Sequence, residues 1–165
     1  MASNDEPKVH LRSSDDEIFD VDKAVAMKSL TIAAWLDEEK DPDEFIPVPN
    51  VKSSVLAKVI EYCKHHVADE EEEDTDFKPN SDARKRDPFD KQLINVDQET
   101  LFDLIQAANY LNIKGLLDLG CHTVADIMRE KSVEEMRETF NIKNDYTPEE
   151  EAAVRAENSW AFDNP

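Results

Sequence analysis

Residues 96–118 read VDQETLFDLIQAANYLNIKGLLD, and this stretch decides how the second half of the chain is built. Asp97 stands just before a run in which Leu101, Leu104, Ile105, Ala108 and Leu111 recur at steps of three and four. That is an amphipathic helix with a carboxylate at its N-cap. Asn112 is a stop signal, and Ile113 opens a second helix that runs to about Arg129. Each helix carries more apolar residues than one buried stripe needs. On the first, Phe102, Ile105 and Asn109 form a row beside Leu101, Leu104, Ala108 and Leu111. On the second, Leu117, Cys121, Val124 and Met128 form one stripe, and Leu116, Leu119 and Ile127 another. A single stripe suffices to pack a surface helix, so two readings stay open: both rows are core, or one is core and the other meets a partner. Burying Phe102, Ile105, Leu117, Val124 and Met128 against a partner is worth about 1.5–3 kcal/mol each before association costs.

Toward the N-terminus the periodicity changes. Val9 and Leu11, then Ile18 with Phe19 and Val21 on the other phase, alternate around the turn-forming Ser13-Ser14-Asp15-Asp16, which predicts a hairpin. Ala24, Met27, Leu30, Ile32, Ala33 and Leu36 return to helical steps, giving two short helices over 23–39. The prolines of Phe45-Ile46-Pro47-Val48-Pro49 forbid a central ladder position and leave a short edge strand. Val55, Leu56, Val59, Ile60 and Cys63 make a helix from about 53 to 67. Seven carboxylates then fall in the eight residues Asp69 to Asp76. Such a segment cannot bury enough apolar area to offset its ordering entropy, and 68–86 is expected to be a disordered loop. Toward the C-terminus, Ser132 with Glu135 is a capping box ahead of Val133, Met136 and Phe140. Thr147-Pro148-Glu149-Glu150 is a second, launching one helix toward Trp160.

Charge excludes whole classes of function. With 19 basic and 39 acidic side chains the net charge is −20, so a polyanion would meet about two repelling carboxylates for each cation. Neither nucleic acid nor an anionic membrane is an expected partner. No apolar run approaches the roughly 18 residues of a membrane span, and the polar start Met1 to Lys8 does not resemble a secretory leader. Two cysteines inside helical patterns then indicate a reduced intracellular protein.

Sequence motifs for catalysis are missing. Gly115 and Gly120 have phosphate-loop spacing, but Cys121 and His122 follow in place of Lys and Ser/Thr, so both are expected to be helix glycines that are merely tolerated. Cys63, His65 and His66 offer metal-ligand chemistry without a CxxC or HExxH to complete it. Adjacent helical residues point about 100° apart, so no metal and no cofactor are expected. A nucleophilic Cys121 would need a base beside it, and His122 faces away on a helix.

The runs Val96-Asp97-Gln98 with Leu101-Phe102, Ala107 to Asp118, and Thr139-Phe140-Asn141-Ile142-Lys143-Asn144-Asp145 closely resemble the S-phase kinase-associated protein one family, the adaptors of Skp–cullin–F-box ubiquitin ligases. The similarity extends over Val48-Pro49-Asn50-Val51, Cys63-x-His65-His66 and Glu157-Asn158-x-Trp160, with a plant-like ending. The resemblance implies an α/β BTB/POZ fold with a small sheet and packed helices, followed by C-terminal helices that clamp an F-box. It divides the chain into 1–67 and 87–129 as the two parts of the BTB/POZ domain, the loop 68–86, and 130–165 as F-box-binding helices. It implies that Phe102, Ile105, Leu117, Cys121, Val124, Met128 and Trp160 contact F-box proteins, and that Asn109 and Tyr110 belong to a cullin-facing side. The adaptor would then bridge the two without catalysis, in the nucleus and cytoplasm. A RING-box protein and a ubiquitin-conjugating enzyme would join through the cullin. Gly120 stands where family members usually carry a hydroxylated residue, and Gln106 where an apolar one is usual.

Three other readings compete. An elongin-C-like adaptor would lack the capped helices at 132–160. An acidic histone chaperone would work through Asp69 to Asp76, and an enzyme would need a reactive Cys121.

Overall fold

A computed structural model describes residues 7–38, 41, 44–68 and 87–162. The expected disordered loop lies outside the described residues except for Ala68. The chain divides into two compact units, Met1–Ala125 and Asp126–Pro165.

In the first unit the hairpin is β1 (Lys8–Arg12) and β2 (Ile18–Asp22), antiparallel, with Val9 opposite Val21 and Leu11 opposite Phe19. This register buries Val9, Leu11 and Val21 together and leaves Ile18 exposed, because side chains alternate between the faces of a strand. β3 (Ile46–Pro47) joins the other edge of β1 in parallel, giving the order β2-β1-β3. Pro47, which has no N–H to donate, thus sits on an edge strand.

The hairpin loop also serves a distant helix. The Asp15 carboxylate accepts from the Ser53 backbone N–H (2.8 Å), the Ser53 hydroxyl (2.5 Å) and the Ser13 hydroxyl (2.7 Å). It therefore caps the first turn of α3 (Ser53–His65), whose own N-cap, Lys52, makes no side-chain cap. These donors, the Ser53 hydroxyl above all, lower the Asp15 carboxyl to about 2. α3 buries Val55, Leu56, Val59, Ile60, Tyr62 and Cys63 at helical spacing and packs against α1 (Lys23–Ala26) and α5 (Gln98–Tyr110). Two short helices do follow the hairpin, α1 and α2 (Leu30–Leu36).

α4 (Pro88–Ile94) was not singled out by the apolar spacing. It starts at Asp87, which accepts from the Phe89 N–H at 2.9 Å, with Pro88 at the first helical position. α5 is capped by Asp97, which accepts from the Thr100 N–H (3.2 Å) and hydroxyl (2.6 Å). Its end is a Schellman motif. Asn112 is left-handed at φ 53°, the Ile113 N–H donates to the Ala108 carbonyl (2.9 Å), and the Asn112 N–H donates to that of Asn109 (3.2 Å). α6 (Lys114–Arg129) follows at once, so the turn fixes the phase of one helix against the other.

Both glycines of α6 do more than the expectation allowed. A Cβ at Gly115 would collide with the Tyr62 hydroxyl of α3, and one at Gly120 would lie 2.5 Å from Cγ1 of Ile105 on α5. Close helix approach, which spacing along one chain segment does not reveal, selects glycine here.

The second unit holds α7 (Val133–Thr139), α8 (Pro148–Glu157) and α9 (Ser159–Phe162). Both capping boxes form reciprocally. Ser132 Oγ accepts from the Glu135 N–H (3.2 Å) while Glu135 accepts from the Ser132 N–H (2.8 Å), and Thr147 and Glu150 do the same at 3.2 and 2.9 Å. The single helix expected from 147 to Trp160 is two. It breaks at Asn158, whose side-chain amide donates to the Val154 carbonyl at 2.9 Å and ends α8.

Candidate partner surfaces on the two units

The two rows on α5 separate by burial. Leu101, Leu104, Ala107, Ala108 and Leu111 are buried, whereas Phe102 and Ile105 are half-buried. On α6, Leu116 and Leu119 are buried, Leu117 and Val124 half-buried, and Cys121 exposed. Among the described residues of the first unit, these five form apolar and thiol surface outside the core rows of the two helices. Ile127, placed by spacing on the same stripe as Leu116 and Leu119, is half-buried. Gly120 shapes this surface: with no side chain of its own, it lets Ile105 lie against the α6 backbone.

Of the residues assigned to the second unit, Met128 is 38% exposed and Trp160 is 81% exposed. An indole so open to water is costly to leave uncovered and is the kind of side chain that anchors interfaces. Ile142 and Tyr146 are also exposed there.

Asn109 and Tyr110 are exposed at the C-terminal end of α5; Asn109 continues the row of Phe102 and Ile105 about two turns beyond Phe102, and Tyr110 lies on the adjoining face. Hydroxyls from the start of α2 hold that end in place. Ser29 donates to the Leu111 carbonyl at 2.5 Å and Thr31 donates to the Tyr110 carbonyl at 3.0 Å. Carbonyls that the helix end leaves without intrahelical partners are thereby satisfied, and Tyr110 is presented from a fixed backbone.

Neither thiol is prepared for nucleophilic attack. Cys63 is buried, and desolvation raises its thiol to about 12 against a weaker opposing charge from Lys28. Cys121 is exposed, and its thiol is raised by partial desolvation and by the Asp118 carboxylate. Both shifts oppose formation of the thiolate. His122 is buried while Cys121 faces outward, as the helical spacing requires.

One cluster escaped the sequence reading. His65 and His66 do not diverge as mid-helix neighbours would: their rings meet edge-on with centroids 4.9 Å apart, because α3 ends at His65. Asp87 joins them, with its Oδ2 3.0 Å from His65 Nε2, and Asp90 Oδ1 lies 2.7 Å from His66 Nε2. The hydrogen bond from His65, with that from the Phe89 N–H, holds the Asp87 carboxyl below the ordinary range. Only the Asp-Pro helix start at 87–88 hinted at this arrangement, and nothing local linked it to the end of α3.

A family model described as the Skp1 family, tetramerisation domain, matches residues 7–68, and one described as the Skp1 family, dimerisation domain, matches residues 114–161. The chain is 56% identical over 155 residues to SKP1-like protein 4 of Arabidopsis thaliana, covering 93% of this chain and 94% of that protein. It is 48% identical over 167 residues to the E3 ubiquitin ligase complex SCF subunit sconC of Arthroderma otae, covering 99% of each. With SCF ubiquitin ligase complex protein SKP1a of Dictyostelium discoideum it shares 46% identity over 155 residues, 94% of this chain and 96% of that one.

Proposed function

We infer the function from one premise: the chain belongs to the Skp1 family. It is an adaptor subunit of an SCF-type ubiquitin ligase, the complex for which its fungal and amoeboid relatives are named. In this reading it performs no bond chemistry. It holds a substrate receptor, an F-box protein, on one surface and a cullin on another, and transfer of ubiquitin is accelerated because the target is brought near the charged enzyme. The RING-box protein and the ubiquitin-conjugating enzyme join through the cullin.

The observation that carries the reading is the second apolar row of α5 and α6, half-buried at Phe102, Ile105, Leu117 and Val124 and exposed at Cys121. We assign this row to the F-box protein, together with Met128 and Trp160. Since Phe102, Ile105, Leu117 and Val124 are already partly covered, completing their burial contributes about 1 kcal/mol each, less than for the exposed Trp160. Asn109 and Tyr110 are assigned to the cullin. Two raised thiols and a net charge of −20 favour this reading over a cysteine enzyme or a nucleic-acid binder. The reading has the adaptor working in the nucleus and cytoplasm, compartments in which free Cys63 and Cys121 stay reduced.

Capture from cell extract tests the assignment. Val124→Asp places a charge in the apolar row and is expected to weaken F-box capture about 100-fold or more while cullin capture persists. Tyr110→Ala is expected to do the reverse. Histones captured in their place, and lost when Asp69 to Asp76 are deleted, would replace the adaptor reading with a chaperone.

A further inference from the structure

We propose that the end of α3 and the start of α4 form a Zn²⁺ site, with His65, His66 and Asp87 as protein ligands and an open fourth position. One ligand atom from each of the three residues lies within 4.8 Å of the other two. In a tetrahedral site with bonds of about 2.0–2.2 Å, ligand atoms stand about 3.3 Å apart. His65 Nε2 and Asp87 Oδ2, at 3.0 Å, are already at that spacing, and His66, whose Nε2 is engaged by Asp90, completes the set by a small side-chain shift. Two imidazoles and a carboxylate are the donor chemistry that suits zinc, whereas magnesium and calcium prefer oxygen alone.

The rings are held where an ion would need them. His65 stacks on Phe89 with centroids 4.0 Å apart and planes 13° from parallel, and His66 packs on Tyr62 at 4.3 Å. Asp90 is 3% exposed and engages His66, as outer carboxylates do when they orient a metal-bound imidazole. Asp90 is thus a positioning residue and not a ligand. The C-terminal end of α3 contributes partial negative charge, and the chain's net charge of −20 raises the local cation concentration. In this arrangement the ion ties two helices of the first unit that follow one another across residues 69–86, with water completing the fourth position, independent of the surfaces assigned above.

The test uses the full chain, stripped with a chelator and titrated with Zn²⁺ in competition with a chromophoric chelator. Imidazole resonances are followed by NMR. The expected result is one saturable equivalent that shifts the ring signals of both His65 and His66. His65→Phe keeps the stack on Phe89 and Asp87→Asn keeps the helix cap, yet each removes a ligand, so each is expected to weaken binding at least about tenfold without changing the circular dichroism of the metal-free protein. Absence of saturable binding at millimolar Zn²⁺ overturns the proposal. So does binding that both variants retain, including binding lost only when the seven carboxylates of Asp69 to Asp76 are converted to amides.

Discussion

The two units are stabilised in opposite ways. In the first, a core drawn from β1, β2, α3, α5 and α6 is closed by side chains far apart in sequence, such as Leu11, Leu56, Leu104 and Leu116. In the second, none of the described residues is buried; the last buried one along the chain is His122. Local chemistry dominates there instead. Two reciprocal capping boxes open α7 and α8, a left-handed Asn141 (φ 52°) closes α7, and Arg155 of α8 pairs with Glu134 of α7 and with Glu151 one turn back on its own helix. Helices of 7 and 10 residues are short for stability from propensity and caps alone. The contrast teaches that the first unit is a finished fold, while the second carries well-defined helices whose apolar side chains are at best half-buried, with Trp160 the most open.

Substitutions sharpen this contrast in order of size. Leu104→Ala removes a side chain that is 1% exposed and is expected to cost about 2–5 kcal/mol, read as a lower denaturant midpoint of the first unit. No apolar truncation among the described residues of the second unit should approach that; Val154→Ala or Met136→Ala is expected to cost under about 1.5 kcal/mol, and a larger loss would break the comparison. Ser132→Ala and Thr147→Ala each remove a cap and are expected to cost about 1 kcal/mol, seen as faster amide exchange in α7 or α8. A cap would then matter as much there as an apolar residue.

The smallest effect concerns acid. Asp15 is lowered in the folded chain to about 2, against an unfolded value of about 3.9. The stability it contributes is therefore complete above the unfolded value and is lost as pH falls through the folded one. Asp15→Asn should destabilise the first unit at neutral pH, and the gap from wild type should narrow between about pH 4 and pH 2. A gap that stays constant would remove Asp15 from the capping role.

Legibility in the sequence followed the same division. The second unit's helix starts were readable because Ser132 with Glu135, and Thr147 with Glu150, are signals complete within four residues; only the break at Asn158 was missed, since apolar spacing continues through it. In the first unit the helices other than α4 and the edge position of Pro47 were readable, and the two rows on α5 and α6 could be listed without knowing which one was core. What closes the unit was not readable. Asp15 caps a helix 38 residues away, Gly115 and Gly120 answer to side chains on α3 and α5, and His66 meets an aspartate 24 residues on. Each depends on a contact made only after folding.

Hydrogen exchange of the purified chain, alone and with an F-box protein, tests the account most directly. The account expects slow exchange in α3 and α5 in both states, fast exchange in α7 and α8 for the chain alone, and protection gained on binding in α6 through α8. Contradiction would come from α7 and α8 exchanging as slowly as α3 without a partner, or from protection confined to α2 and the end of α5 around Tyr110.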